Sequence, residues 1–375
     1  MRPQAMRRRL PVVQPSPLPP LYAAWMDALL AAPIPHETEA TCDDCAMCAP
    51  AGARPVSTVF FDPRTKCCTY VPALANFLVG GLLADDDPAA APGRATLEAR
   101  LASGVAVTPL GLGQPPTFSV LYEATAARSF GRSPSLRCPH YLAERGGRCG
   151  VWRHRAAVCA TWFCKHVRGA TGRRFWRALH QLLASVEGSL ARWCVLELDV
   201  GAEALARLFP PRKAPGAPGH DGAATLDDLA DPAAARASWG RWWGREAEFY
   251  RECGRRVSAL SWADVAEICG PDTAIFARVT REAHAALLSD AIPPRLRMGP
   301  INVVRIDGRS CCVWSYDGAD PLDLPRRLMD LFPYFEGRST EEALRAIETA
   351  EGVRIDPALV RRLVDFEVLV PDAAR

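Results

Sequence analysis

Lysine is almost missing from this chain: of 45 basic residues only Lys66, Lys165 and Lys213 are not arginine, a bias in keeping with its general richness in Ala and Pro. Also missing is any apolar run near the roughly 20 residues needed to span a bilayer; the longest, Phe77 to Ala84, is far shorter. The opening MRPQAMRRRLPVVQPSPLPP has arginines but no apolar core of the length an export signal requires. No membrane partner and a cytoplasmic location are therefore expected. There is no glycine-rich nucleotide loop, no assignable Ser-His-Asp arrangement and no repeat of fixed period. Nor is there a large charge imbalance, since a net charge of +3 gives no global pull towards nucleic acid. With 49% apolar and 23% charged residues the chain falls outside the composition of disordered proteins.

What the chain does have is cysteine, 14 in all. In a reducing compartment these are expected as metal ligands in preference to disulfides. A length of 375 residues predicts two or three domains. Residues 1–20 read as a flexible leader, 21–209 as a cysteine-cluster metal-binding domain, 210–224 as a linker, 225–295 as a helical region and 296–375 as a small domain of hairpin plus helices. The linker follows from PPRKAPGAPGHDGAA, too rich in Pro and Gly for a helix or a central strand. The fold class expected is α+β and mostly helical, with an irregular, metal-stapled cysteine-rich part.

Helices are predicted around Leu21 to Ala32, over Pro72 to Ala84 and Arg94 to Ala102, and from Gly172 to Trp193. In the last, Phe175, Leu179, Leu182, Leu183, Val186 and Leu190 share one face. Val105 to Tyr122 reads as loop and short strand. Between Ala234 and Asp290 the pattern is mainly helical, and Trp239, Trp243 and Tyr250 are assigned to packed core. After Pro300, INVVRIDGRSCCVWSYDG predicts a hairpin turning at Asp307-Gly308. Ser339 with Glu342 predicts a capping box, and Asp356 opens a last helix with an apolar face of Leu359, Val360 and Leu363.

Cys42, Cys45 and Cys48 form C-x2-C-x2-C, and the pair Cys67-Cys68 follows at a distance. Three thiolates so close in sequence can point at one centre. The bacterial ferredoxin run needs a fourth cysteine where this chain has Gly52, so the remaining ligand must come from farther away. A second cluster, Cys138, Cys149, Cys159 and Cys164, is accompanied by His140, His154 and His166, suited to ligand or outer-shell roles. Thiolates select zinc, copper(I) or iron-sulfur, and this donor set leaves the choice open. Cys194, Cys253, Cys269, Cys311 and Cys312 lie outside any such spacing and are expected to pack as small hydrophobes.

Charge is also uneven along the chain. From Arg128 to Arg174 there are 11 basic residues and the single acid Glu144. Arginines here would offset an anionic metal-thiolate centre and hydrogen-bond to sulfur; a solvated basic face or a pocket for an anionic substrate are the other readings. Glu37, Glu39, Asp43 and Asp44 flank the first cluster, so the two segments are expected to attract and share a centre.

The stretch CPHYLAERGGRCGVWRHRAAVCATWFC, residues 138 to 164, resembles the second motif of the YkgJ-type CxxCxxCC proteins, often described as zinc- or iron-chelating or Fe-S cluster proteins. The resemblance covers about residues 40 to 170. It implies ligand roles for Cys42, Cys45, Cys48, Cys138, Cys149, Cys159 and Cys164, with zinc or iron, a 4Fe-4S cluster included, as cofactor. The family usually doubles the third cysteine of its first motif. Here Ala49 follows Cys48, and Cys67 or Cys68 would replace the missing ligand. Arg155 precedes Ala156 where proline is common, and Cys159 precedes Ala160 where arginine is common. One branch is similar to flagellin lysine-N-methylases, which makes an iron-sulfur enzyme of redox or methyl-transfer type, acting on a protein or peptide, the alternative to a metal-binding protein without assignable catalysis. Residues 300 to 375 resemble the small PqqD-like winged-helix domains that bind leader peptides. A peptide partner would then add to an edge strand near Cys311 to Tyr316, with the helix after Asp356 as the other wall.

Overall fold

The computed structural model describes residues 16–42, 44–49, 60–210 and 228–372. Most of the expected leader, nearly all of the Pro/Gly-rich linker, Asp43 and Gly52 lie outside the described residues. The structure is mixed α and β, about half helical, with small sheets. In the first part the helices are α1 (Pro20–Leu29), α2 (Asn76–Leu83), α3 (Ala91–Ser103), α4 (Pro116–Ser129), α5 (Ala157–Ala160), α6 (Gly169–Glu197) and α7 (Ala202–Leu208). Next come α8 (Pro232–Trp239), α9 (Glu246–Ser258), α10 (Trp262–Cys269) and α11 (Pro271–Leu288), and, after a change of pattern, α12 (Arg326–Met329), α13 (Thr340–Glu351) and α14 (Pro357–Asp365).

The long helix α6 organises the larger core. Its expected apolar face is realised in full, with Phe175, Leu179, Leu182, Leu183, Val186 and Leu190 all inaccessible to solvent, and α5, α10 and α11 pack against it. α2 lies on α9 at a crossing close enough that a Cβ on Gly80 would meet the Tyr250 carbonyl oxygen at 1.7 Å. Only glycine permits that approach. The same core includes Trp25, Trp176, Trp239, Phe249 and Tyr250, so it runs from α1 to α11 across the Pro/Gly-rich segment.

Three stretches depart from expectation for local reasons. The region from Val105 forms the short strands β2 (Val107–Thr108) and β3 (Gly111–Leu112), which pair with β1 (Leu74–Ala75). From Pro116 it is helix. A proline in the first turn forfeits no hydrogen bond, and α4 buries none of its residues, so it has no apolar periodicity to detect. Trp243 is exposed although Trp239 and Tyr250 are buried, because the chain breaks at Gly240 (φ +52°) and a 3-10 turn carries residues 240–242 out of helical phase. And the stretch from Cys311, expected to offer an edge strand, is central in its sheet.

The carboxy-terminal part has its own core, including Leu296, Val313, Phe332, Phe335, Ile347, Val360 and Leu369. Strands β7 (Asn302–Ile306), β8 (Ser310–Trp314) and β9 (Leu322–Pro325) form an antiparallel sheet in the order β7-β8-β9. The run Cys311 to Tyr316 therefore cannot accept a strand over its paired residues; the free edges belong to β7 and β9. The hairpin turns at Asp307-Gly308 as expected, with the Asp307 carboxylate accepting from the Arg309 and Ser310 N–H groups at 2.8 Å. Ser339 and Glu342 form the capping box of α13, and Asp356 caps α14, which buries Val360 and Leu363. β10 (Leu369–Pro371) pairs with β6 (Leu296–Met298), tying the end of this unit to its beginning.

A seam of ion pairs joins the two parts. Arg168 donates to the buried Asp365, with Nη2 to Oδ1 at 3.2 Å, and to the carbonyls of Leu287 and Ser289 at 2.9 Å. Arg361 also meets Asp365, at 3.0 Å, Arg174 meets Glu367 at 2.6 Å, Arg173 meets Asp317 at 3.3 Å and Lys165 meets Asp320 at 3.6 Å. Among the described residues no helix is long and apolar enough to cross a membrane.

Leu182→Ala should lower the unfolding free energy by about 2–5 kcal/mol, the range for deleting a fully buried leucine. Ser339→Ala, which removes one exposed cap, should lower it by about 1 kcal/mol. Urea titrations of the two variants beside the parent check both values; equal losses would contradict the assignment of α6 as the spine of the core.

Candidate metal centre

The nine candidate cysteines lie on irregular backbone held by local hydrogen bonds. In the first motif the Cys48 N–H donates to the Cys45 carbonyl at 2.9 Å, and the Phe61 N–H to that of Met47 at 2.7 Å. Cys67 and Cys68 sit in a succession of turns begun by Asp62, whose carbonyl accepts from the Thr65 and Lys66 N–H groups. The turn carries Lys66 through a left-handed conformation (φ +50°), uncommon and strained for a residue with a side chain. The Cys138 N–H then donates to the Cys68 carbonyl at 2.8 Å, joining the doubled cysteine to the second motif.

Within the second motif, β4 (Tyr141–Leu142) pairs with β5 (Arg148–Cys149), so Cys149 stands opposite Tyr141. The intervening turn uses both glycines of the Gly-Gly-x-Cys run at positive φ, and a Cβ on Gly147 would strike the Tyr141 hydroxyl at 1.8 Å. Cys159 is carried by α5 and Cys164 by the bend that follows. α5 is anchored from α6: the Glu187 carboxylate accepts from the Ala157 N–H at 2.8 Å and from the Tyr22 hydroxyl.

These segments bring the nine thiols into one electrostatic neighbourhood. Cys67 is central: Cys42, Cys138, Cys159 and Cys164 all feel its charge, as does Cys149, and its own thiol hydrogen-bonds to Cys68. Cys45 hydrogen-bonds to Cys48 and is within electrostatic reach of Cys42 and Cys164, so the first motif approaches the second. Burial, and next the neighbouring thiols, push Cys42 up to about 11 and Cys48 and Cys164 up to about 12. Burial above all pushes Cys138 to about 12 and Cys149 to about 11. Cys159 is raised by the same causes, burial first and then Cys149 and Cys138, although its side chain is exposed to solvent. Left alone, these groups stay protonated at neutral pH.

Two buried cations face them. Arg155 is 4% exposed; its Nη atoms donate to the carbonyls of Trp152 (2.9 Å) and Pro17 (2.8 Å), its plane lies 3.6 Å from the Trp152 ring centre, and its Nε is buried without a partner. Lys66 is 8% exposed and its Nζ donates to the carbonyls of Cys42 and Gly147. Among the described residues neither has a carboxylate partner. Burial lowers the Arg155 pKa, and the charges that oppose this are Cys149, Cys159, Cys42 and the Tyr22 hydroxyl. Lys66 in turn favours ionisation of Cys42, Cys48 and Cys67. Lys66 is one of three lysines in the sequence and directly precedes Cys67-Cys68; that rarity is the signal by which it was there to be found.

The rest of the expected charge scheme is rearranged. Glu37 meets no arginine among the described residues: its carboxylate accepts from the Val167 N–H at 2.6 Å and the Trp176 indole at 2.7 Å, fastening the first motif to the root of α6. Lys165, Arg168, Arg173 and Arg174 pair with the acids of the carboxy-terminal part, although Lys165 still favours ionisation of the neighbouring Cys164. The histidines have other partners as well. His140 Nδ1 lies 2.9 Å from the Thr96 hydroxyl and burial pushes its pKa down to about 4. His154 Nε2 meets Asp85 at 2.8 Å and His166 Nδ1 meets Tyr316 at 3.3 Å. Cys194 and Cys253 are core residues, as expected, and hydrogen-bond to each other.

Among the described residues no three or more His, Cys, Asp or Glu side chains stand close enough together to hold a metal ion as placed. The donor chemistry and the buried cations fit an anionic thiolate-bound group, whereas the side-chain positions are not closed around one. No family model, curated protein or solved structure matches the chain.

Glu187 supplies a pH test of the anchor beneath Cys159. Burial raises its pKa from 4.5 to about 7. A carboxyl raised in the folded state contributes stability that is complete below its unfolded pKa and is lost as pH climbs through the folded one. Stability should therefore fall between about pH 4.5 and 7, and Glu187→Gln should flatten that slope in urea titrations across the window. An unchanged slope in the variant would remove Glu187 as its source.

Proposed function

We propose that this chain is a cysteine-cluster metal-binding protein of the YkgJ type, with zinc or iron, a four-iron cluster included, as its cofactor. The observation that carries the reading is the pair of buried cations, Arg155 and Lys66, without carboxylate partners among the described residues and set beside thiols. An uncompensated buried charge costs several kcal/mol. A metal held by thiolates would supply the missing negative charge. The ligands would be drawn from Cys42, Cys45, Cys48, Cys67, Cys68, Cys138, Cys149, Cys159 and Cys164, with Cys67 or Cys68 in the place the family gives to a doubled third cysteine. The group would keep these thiols ionised and cross-link loops that have little regular structure. A cytoplasmic location and the absence of a nucleic-acid partner remain part of this reading.

The second reading is an iron-sulfur enzyme of redox or methyl-transfer type acting on a protein or peptide, with a winged-helix-like carboxy-terminal part as its guide. What favours it is β7: all five of its residues are exposed, Val303, Val304 and Ile306 among them, on the outer edge of a three-stranded sheet. A paired strand would cover such an edge.

Anaerobic purification followed by metal and acid-labile sulfide analysis separates the metals: a brown protein with broad visible absorption means iron-sulfur, and a colourless one with stoichiometric zinc means a structural centre. Protein that is stable, soluble and metal-free would sink the proposal. Cys45→Ser and Cys159→Ser should lower metal content, whereas Cys194→Ala, Cys253→Ala and Cys269→Ser should retain it. Arg155→Met, which keeps the bulk and removes the charge, should weaken retention against a chelator by roughly tenfold or more, as loss of outer-shell partners generally does.

A further inference from the structure

A cleft of about 450 Å³ opens beside Cys164, between the cysteine segments, the first turns of α6 and the carboxy-terminal part. That size suits a small organic molecule. Its walls are aromatic. Phe61 meets Phe130 edge-to-face at 5.6 Å, Phe130 meets Trp162 at 5.2 Å, and Phe163 lies 4.5 Å from Trp176. Trp162 is 43% exposed, an indole held open to this space by neighbouring rings when a core position would cover it.

The charges lining the cleft are unequal. Three arginines, Arg132, Arg173 and Arg177, border it against one acid, Asp317. Arg173 is already paired with Asp317 at 3.3 Å. Arg132 gives one Nη to the Arg128 carbonyl at 3.3 Å, and its Nε is buried without a hydrogen-bond partner. Arg177 makes no ion pair among the described residues. Two guanidiniums are thus left for a guest, each with a planar face for stacking and a fork that matches carboxylate or phosphate oxygens.

We propose that this cleft binds an organic anion with a flat apolar body, its carboxylate or phosphate held by Arg132 and Arg177 and its ring system stacked among Trp162, Phe130 and Phe61. The apolar surface and the surplus cations select for both features at once. A cationic guest, such as a lysine side chain, would meet two uncompensated guanidiniums and is disfavoured. A bare inorganic anion would leave the aromatic walls uncovered. The site extends beyond the metal reading, since its arginines, Arg132 and Arg177, are not among the candidate metal ligands, while the presence of Cys164 in its lining sets the guest beside the thiols.

Titration calorimetry of the full-length protein with 2-naphthoate, 2-naphthyl phosphate, the neutral 2-naphthylmethanol and inorganic phosphate tests this, with metal content assayed on the same samples. At least one naphthyl anion should bind saturably, and the neutral analogue and inorganic phosphate should bind about tenfold or more weakly, the worth of one charged hydrogen-bonded contact. Arg177→Ala and Trp162→Ala should each weaken the anion by a similar factor at unchanged metal content, and Arg345→Ala, an exposed arginine on α13, should leave it unaltered. Arg177 is exposed, so its removal leaves the core intact and that variant reports binding and not folding. No saturable binding, equal binding of the neutral analogue, or an Arg177→Ala protein indistinguishable from its parent would overturn the proposal. Loss of metal without loss of anion binding would bear on the metal reading alone.

Discussion

The constraint on which the cysteine region depends is the burial of positive charge without carboxylates to meet it. Arg155 and Lys66 have only carbonyl oxygens as hydrogen-bond partners among the described residues, and the groups within electrostatic reach of Arg155 that can become anionic are the thiols of Cys149, Cys159 and Cys42 and the Tyr22 hydroxyl. Those thiols are raised by burial and by one another. The region is thus balanced between two unfavourable states: neutral thiols leave the cations uncompensated, and free thiolates repel each other in a medium that solvates them poorly. A centre that carries several thiolates at once and spreads their charge resolves both. That is why the cations, more than the cysteine spacing alone, carry the metal proposal.

α6 transmits this local problem to the whole molecule. Its buried face organises the larger core, Glu187 on it holds the helix that carries Cys159, and Trp176 holds Glu37 from the first motif. Arg173 and Arg174 at its start, with Lys165 and Arg168 just before, reach the acids of the carboxy-terminal part. One helix therefore fixes the cysteine loops, the cleft and the second unit in a common frame. Arg168 and Arg361 share the buried Asp365, a pairing in which either arginine alone would leave less compensation for a carboxylate 3% exposed. Removing Asp365 would strand Arg168 at the junction, where its other partners are carbonyls and the distant Asp290 at 3.7 Å.

Long periodic elements were legible in the sequence because their signal is the same quantity that packs them. The apolar face of α6, the capping box at Ser339 and the turn at Asp307-Gly308 all appear where local chemistry put them. α4 was illegible because it buries nothing, and Trp243 was misassigned because one glycine at positive φ breaks the phase between it and Tyr250. In the candidate site, the spacing singles out the two cysteine motifs as such, but the partition of the basic segment between thiols and acids is not legible from it. Which arginines face thiols and which face Asp317, Asp320, Asp365 and Glu367 depends on contacts across as many as 197 positions. Glu37 likewise read as a charge to be paired with arginine, and proved to be an acceptor for an N–H group and an indole.

The irregularity of the cysteine loops is itself an argument about how they stay folded. Between Thr41 and Thr69 the described backbone has no helix or strand beyond an isolated bridge at Cys48 and Phe61, and between Ser133 and Val167 it has only short turns, one two-residue strand pair and α5. Such segments satisfy few backbone groups internally and bury little apolar surface per residue, so their ordering entropy has to be offset by cross-connections. The hydrogen bonds between the loops are mostly single links, among them Cys138 to Cys68, Asp62 and Thr65 to Gly131, Gly131 to Thr69, Tyr141 to Pro63, and Lys66 to both Cys42 and Gly147. Each net contribution is about 1 kcal/mol, against about 1–2 kcal/mol to fix one residue's backbone. Links of that size hold the loops in register but do not outweigh their entropy, and the further stabilisation must come from the side chains that the loops present to one another: buried apolar groups such as Phe61, Leu136, Tyr141 and Val151, and the thiols between them.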